Sequence, residues 1–113
     1  MKREEINTYL YNQYISTGNV NFLHQIIHDY DKFIYKTILE TLIENKISSV
    51  NPEECYSYVY YDIFKHLEKM SVNNVSPLRI GLSIKRWTLS SMVRFIEEEK
   101  LLTVKLQDMK KRL

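Results

Sequence analysis

The sequence predicts an all-α fold, a compact bundle of about four helices in one domain. Apolar residues recur at three- and four-residue spacing through long runs, the signature of helices that each bury one face. Glycine and proline number only two each, so the chain has few turns and few, long elements. A hydrophobic content of 44% in 113 residues suffices for one modest core.

The first element is "REEINTYLYNQYISTGN", in which Ile6, Tyr9, Leu10, Gln13, Tyr14 and Thr17 share helical spacing. Glu4 and Glu5 complement the dipole of its first turn, and Gly18 with Asn19 forms a helix stop. A second helix is predicted from about Val20 to Glu44, because Leu23, Ile26, Ile27, Tyr30, Ile34, Ile38 and Leu42 follow one buried face. A third opens on "NPEE", where Asn51 can cap, Pro52 fits the first helical position, and Glu53 and Glu54 favour the dipole. Cys55, Val59, Ile63, Leu67 and Met70 form its main stripe, and Tyr56, Tyr60 and Phe64 form a second, which marks this helix as the centre of the core. "SVNNVSP" is a turn; Ser76 caps and Pro77 starts a fourth helix that runs toward the C-terminus.

Composition excludes several classes. The single Cys55 rules out an internal disulfide and a cysteine-based zinc site, and no segment resembles a signal peptide or a membrane span, so a soluble chain in the cytoplasm is expected. No Gly-rich phosphate loop, GxSxG elbow or recognisable Cys/His pair is present, and neither a cofactor nor an enzymatic activity is expected. His24 and His28 stand four apart, a spacing that can hold a metal, but no third ligand or HExxH pattern accompanies them and no metal is expected. Charge is divided along the chain: residues 1–76 carry seven Lys/Arg against ten Asp/Glu, whereas residues 77–113 carry nine against four.

The basic half contains "SPLRIGLSIKRWTLSSMVRF", which has four cations, one tryptophan and no acid. Projected at about 100° per residue, Arg79, Ser83, Arg86, Ser90 and Arg94 fall on one strip with Trp87 at its edge. Leu78, Leu82, Leu89, Met92, Val93 and Ile96 fall on another, which is expected to pack. Guanidiniums match phosphates, serines allow close approach, and a flat aromatic can stack on an unpaired base. The competing reading is an ordinary solvated face with Trp87 partly in the core.

"TGNVNFLHQIIHDYDKFIYKTI" resembles the opening of region 2 in bacterial sigma factors of the sigma-70 family, at Gly18, Asn19, Phe22, Leu23, Ile27, Tyr30, Ile34 and Tyr35. "NPEECYSYVYYDIFKHLEKM" is similar to that family's acidic-capped helix at Glu53, Glu54, Val59, Tyr60, Ile63 and Phe64. The stretch from Ser76 resembles the helix that follows it, with Ser76, Ile84, Arg86, Val93 and Arg94 in register. The resemblance covers about residues 16–96, and its specificity lies in the order of three segments. It implies a helical domain that binds the clamp helices of the RNA polymerase β′ subunit and recognises the minus-ten promoter element. Carried over, Glu54, Ser57, Tyr58 and Tyr61 would face the polymerase, and Arg79, Ser83, Arg86, Trp87, Ser90 and Arg94 the promoter DNA.

The departures qualify the transfer. Ser57 and Tyr58 replace the usual Gln-Glu or Gln-Asp, Trp87 stands where many members have Asn, and "EEEK" at Glu97–Lys100 replaces a basic cluster. No segment matches region 4, which reads the minus-thirty-five element, so a separately encoded region 4 partner, a longer parent chain, or a relative that has lost promoter binding are the expected alternatives. Residues 97–113 read as a basic amphipathic extension, with Leu101, Leu102, Val104, Leu106 and Met109 beside Lys105, Lys110, Lys111 and Arg112, suited either to docking a partner or to a frayed terminus. The alternative function is a helical protein-protein interaction regulator on the same fold that binds no nucleic acid.

Overall fold

The computed structural model describes residues 2–111, all of whose regular structure is helical. In chain order these are α1 (Arg3–Thr17), α2 (Asn21–His28), α3 (Asp31–Glu44), α4 (Pro52–Glu68), a short 3-10 turn (Pro77–Arg79) and α5 (Ile80–Lys111). There are thus five α-helices where four are predicted. No helix among the described residues is long and apolar enough to cross a membrane. The tail residues Leu101, Leu102, Val104, Leu106 and Met109 lie outside the residues whose side chains are described.

The additional helix arises because the predicted Val20–Glu44 segment breaks at Asp29–Tyr30. Tyr30 leaves helical geometry (φ −107°, ψ 8°) and sends its ring into the body of the protein, where it is buried. Its hydroxyl accepts a hydrogen bond from Asn7 Nδ2 of α1 at 2.8 Å, and the Arg3 guanidinium lies 5.1 Å from its ring centroid. Residues on either side still follow one apolar period, so periodicity alone cannot register a two-residue break.

The same tyrosine touches the start of α5. A Cβ built on Gly81 would stand 2.7 Å from the Tyr30 hydroxyl, closer than packed atoms allow. Gly81→Ala should therefore cost about 1 kcal/mol net, because breaking the Asn7–Tyr30 bond and crowding a buried ring outweigh the gain in helix propensity. In a Tyr30→Phe background the same change should become neutral or stabilising, as read by chemical denaturation. A loss of equal size in both backgrounds would show that the hydroxyl is not the obstacle.

The local signals around α4 hold. Asn51 Oδ1 accepts from the Glu53 amide at 3.0 Å, Pro52 occupies the first turn, and Glu53 and Glu54 follow. The turns before and after α4 close alike: Ile47 N–H donates to Leu42 O at 2.9 Å and Val75 N–H to Met70 O at 3.0 Å. Each places one residue, Lys46 or Asn74, in the left-handed region at φ 55°. Gly18 does the same after α1, at φ 70°, its N–H donating to Tyr14 O at 2.7 Å.

Helix α4 packs against α2, α3 and α5. Its stripe of Cys55, Val59, Ile63 and Leu67, continued by Met70, is almost wholly removed from solvent. Two faces differ from their sequence prediction. Helix α1 buries Asn7, Leu10 and Tyr11 while Tyr9 points outward, since Asn7 is engaged by Tyr30 and the Tyr11 hydroxyl accepts from the Ser71 amide at 3.0 Å. Helix α5 buries Ile80, Ile84, Thr88, Ser91, Met92 and Ile96. Of the predicted packing strip only Met92 and Ile96 are inside; Leu78, Leu82, Leu89 and Val93 are exposed. The rotation is possible because the two inward polar residues are satisfied, Thr88 Oγ1 donating to Ile84 O at 2.8 Å and Ser91 Oγ to an Asp62 carboxylate oxygen.

Candidate functional site

The seam between α4 and α5 joins polar and aromatic side chains of both helices. Asp62 of α4 has a side chain only 17% exposed, and one of its oxygens accepts from the Ser91 hydroxyl and from Arg94 Nη2 at 2.7 Å. One turn on, His66 Nδ1 donates to the Asp62 backbone carbonyl at 2.8 Å, which requires that nitrogen to carry hydrogen. Its ring stacks on Trp87 with centroids 4.8 Å apart and planes at 29°. One turn back, Tyr58 meets Phe95 edge-on at 5.5 Å, and its hydroxyl lies 3.5 Å from Glu98. Burial, and then the Glu98 carboxylate, push the Tyr58 phenol above its usual range, so it remains a neutral donor. Tyr58, Asp62 and His66 thus form one row on α4 that faces α5.

This arrangement divides the predicted DNA-facing residues. Arg79, Arg86 and Ser90 are exposed, and neither arginine has an ion-pair partner among the described residues. Ser83 is half-buried. Arg94 is exposed but committed to Asp62, and Trp87, predicted at the edge of the presented strip, is half-buried against His66. From Pro77 to Ile96 the chain contains no acid, so every charged residue that α5 itself carries before Glu97 is a cation.

On α4, Glu54, Ser57 and Tyr61 point to solvent, with Lys65 Nζ 4.5 Å from the Tyr61 ring centroid. Tyr58, grouped with them in the sequence, is half-buried in the seam instead. An open hollow of about 220 Å³ lies beside the seam, lined by Asp62, Lys65, His66, Lys69 and Asn73.

The two histidines at metal-like spacing are engaged elsewhere. His24 Nδ1 is 2.5 Å from the Tyr60 hydroxyl and its ring stacks on Phe64 at 5.0 Å; His28 Nδ1 is 3.0 Å from Asp31. The Tyr56 hydroxyl donates to the other Asp31 oxygen at 2.5 Å while its ring stacks on Tyr35 at 4.4 Å. Burial first, then the hydrogen bond to Asp31, raise the Tyr56 phenol far above its ordinary value. This cluster joins α2 and α3 to α4.

Sequence reasoning passed over two features. Asp62 is visible only as the acid in a row at four-residue spacing, Tyr58–Asp62–His66, opposite an arginine on a later helix. The exposed leucines of α5 could have been recognised from the alternative inward set of Ile80, Ile84, Met92 and Ile96, which closes once Thr88 and Ser91 are allowed inside.

No family model matches the chain, and comparison with curated proteins and with solved structures likewise finds no match.

Proposed function

We propose that the protein is a sigma region 2-like transcription factor that binds RNA polymerase core and contributes to recognition of the minus-ten promoter element. The observation that supports it most is the acid-free outer face of α5 and the 3-10 turn before it, where Arg86 on the helix and Arg79 at the end of the turn stand unpaired, with Ser90 one turn on, among the described residues. It lies on the helix next to α4, whose free side presents Glu54, Ser57 and Tyr61. In this reading Arg79 and Arg86 hold strand phosphates, Ser90 allows close approach, and Ser83 lies at the margin. Arg94 and Trp87 act first as positioning residues, fixing α5 on α4 through Asp62 and His66. A base stacking on Trp87 would have to compete with the His66 ring.

The test combines a pull-down with polymerase core and titration of single-stranded minus-ten DNA across a salt series. Core binding is expected, with affinity that falls as salt rises; Arg86→Ala should weaken DNA binding about fivefold and reduce the logarithmic salt slope by about 0.7, the share of one phosphate contact. Failure to bind core would refute the proposal, and a flat salt dependence would remove its DNA half.

A second reading, a helical interaction regulator that binds no nucleic acid, is favoured by the exposed apolar residues of α5. It predicts no binding of single-stranded minus-ten DNA even at low salt.

A further inference from the structure

The cationic face of α5 has an apolar companion. Leu82, Leu89 and Val93, about half exposed at 53%, 52% and 53%, follow one another at seven- and four-residue spacing and form a stripe along the outside of the helix. Leu78, 60% exposed in the preceding 3-10 turn, extends it. Lys85 borders the stripe on one edge between Leu82 and Leu89, and Arg86 and Arg79 border it on the other. Large aliphatic side chains in a row at this spacing offer the seam that a second helix uses when it lies along a first.

The stripe does not end on a flat surface. At Leu82 it opens into a groove of about 470 Å³ where α1, α3 and α5 converge. Tyr30, Phe33, Gly81 and Leu82 give it apolar walls, and Arg3 and Lys85 stand at its rim with one acid, Glu4. Lys85 Nζ sits 5.6 Å from the Phe33 ring centroid, so its charge overlooks the recess. A recess that takes one large side chain, next to a stripe that takes smaller ones, is how a helical ligand is anchored.

We propose that this surface, the α5 stripe with the α1–α3–α5 groove, binds an amphipathic helix of a partner protein whose apolar face is flanked by acidic residues. Charge selects the occupant. The surroundings of the stripe carry Arg79, Lys85 and Arg86 with no acid on α5 before Glu97, so a helix with glutamates or aspartates beside its apolar row gains along the Leu78–Leu89 part of the stripe. A second copy paired about the middle of the stripe would set Lys85 and Arg86 against their equivalents, like charge on like. A lipid surface would meet the leucines but cannot enter the recess. The proposal requires neither reading of the function given above; if nucleic acid also uses Arg79 and Arg86, helix and strand exclude each other.

The experiment presents the full chain to a displayed library of helical peptides about 20 residues long, with Leu or Phe at i, i+4, i+7 and i+11 and with Glu or Lys varied at the flanking positions. Enrichment of Glu-flanked peptides is expected, with binding that weakens as salt rises. Leu82→Asp and Leu89→Asp should each reduce that binding about tenfold or more. Both side chains are about half exposed, so circular dichroism should show the helices intact and the melting temperature should fall by only a few degrees; Ile43→Asp, at an exposed α3 residue, should leave binding intact. Equal recovery of Lys-flanked peptides, or no enrichment, would overturn the proposal. So would self-association in sedimentation that Leu89→Asp abolishes, which would make a second copy the occupant, or Leu89-dependent capture on anionic vesicles, which would make it a membrane.

Discussion

Ile63→Ala is expected to lower the free energy of unfolding by about 3–4 kcal/mol, the largest loss from any single truncation of the α4 stripe. Ile63 is fully buried at the middle of a helix that packs against three others, so the void left by the missing carbons is enclosed and cannot be closed by movement of one neighbour. Denaturant unfolding followed by circular dichroism measures it, with the midpoint shifting and the slope unchanged. Ile43→Ala removes the same atoms from a side chain that is 75% exposed and should cost no more than about 0.5 kcal/mol. Comparable losses at the two positions would mean that α4 is not the centre of the core.

Asp62→Ala is expected to cost about 2–3 kcal/mol, mostly through what it leaves behind. The Ser91 hydroxyl, fully buried, loses its acceptor, and Arg94 loses the carboxylate that turns it inward. The ion pair itself contributes the smaller part, at most about 1 kcal/mol, because Arg94 is about half exposed and screened by water. A double-mutant cycle separates the terms: once Asp62 is removed, Arg94→Ala should be nearly silent. If the two losses simply add, Arg94 stabilises α5 by some route other than Asp62. In the DNA-binding reading Asp62→Ala also loosens the helix that presents Arg86, with Arg79 in the turn that leads into it, so weaker DNA binding should accompany the lost stability.

How much of this was legible in the sequence depends on the distance over which a residue is satisfied. Asn51, Pro52, Glu53 and Glu54 act within one turn, and the start of α4 follows from them directly. The break at Asp29–Tyr30 is hidden because its cause, the Asn7–Tyr30 bond, spans 23 residues, while the apolar period continues across it. The faces of α1 and α5 rotate for the same reason. Asn7, Thr88 and Ser91 stand outside the predicted apolar faces, and what brings them inward, the Tyr30 hydroxyl for Asn7 Nδ2, a backbone carbonyl for Thr88 and Asp62 for Ser91, is not visible in the apolar spacing of either helix. At the candidate site, Arg79, Arg86 and Ser90 face outward as charge and helical projection suggest. Trp87 and Arg94 share their strip, but His66 and Asp62 on another helix hold them, and spacing along α5 carries no trace of that.

Trp87 is the single tryptophan of the chain, and it rests on an imidazole belonging to the opposite helix. Its indole emission therefore comes from one place alone, the α4–α5 seam. Whatever parts those two helices moves the ring from a stacked, half-covered position into water and shifts its spectrum to the red. The protein thus carries an intrinsic optical gauge, requiring no label, that distinguishes a ligand lying on the outer face of α5 from one that prises the helix off its support.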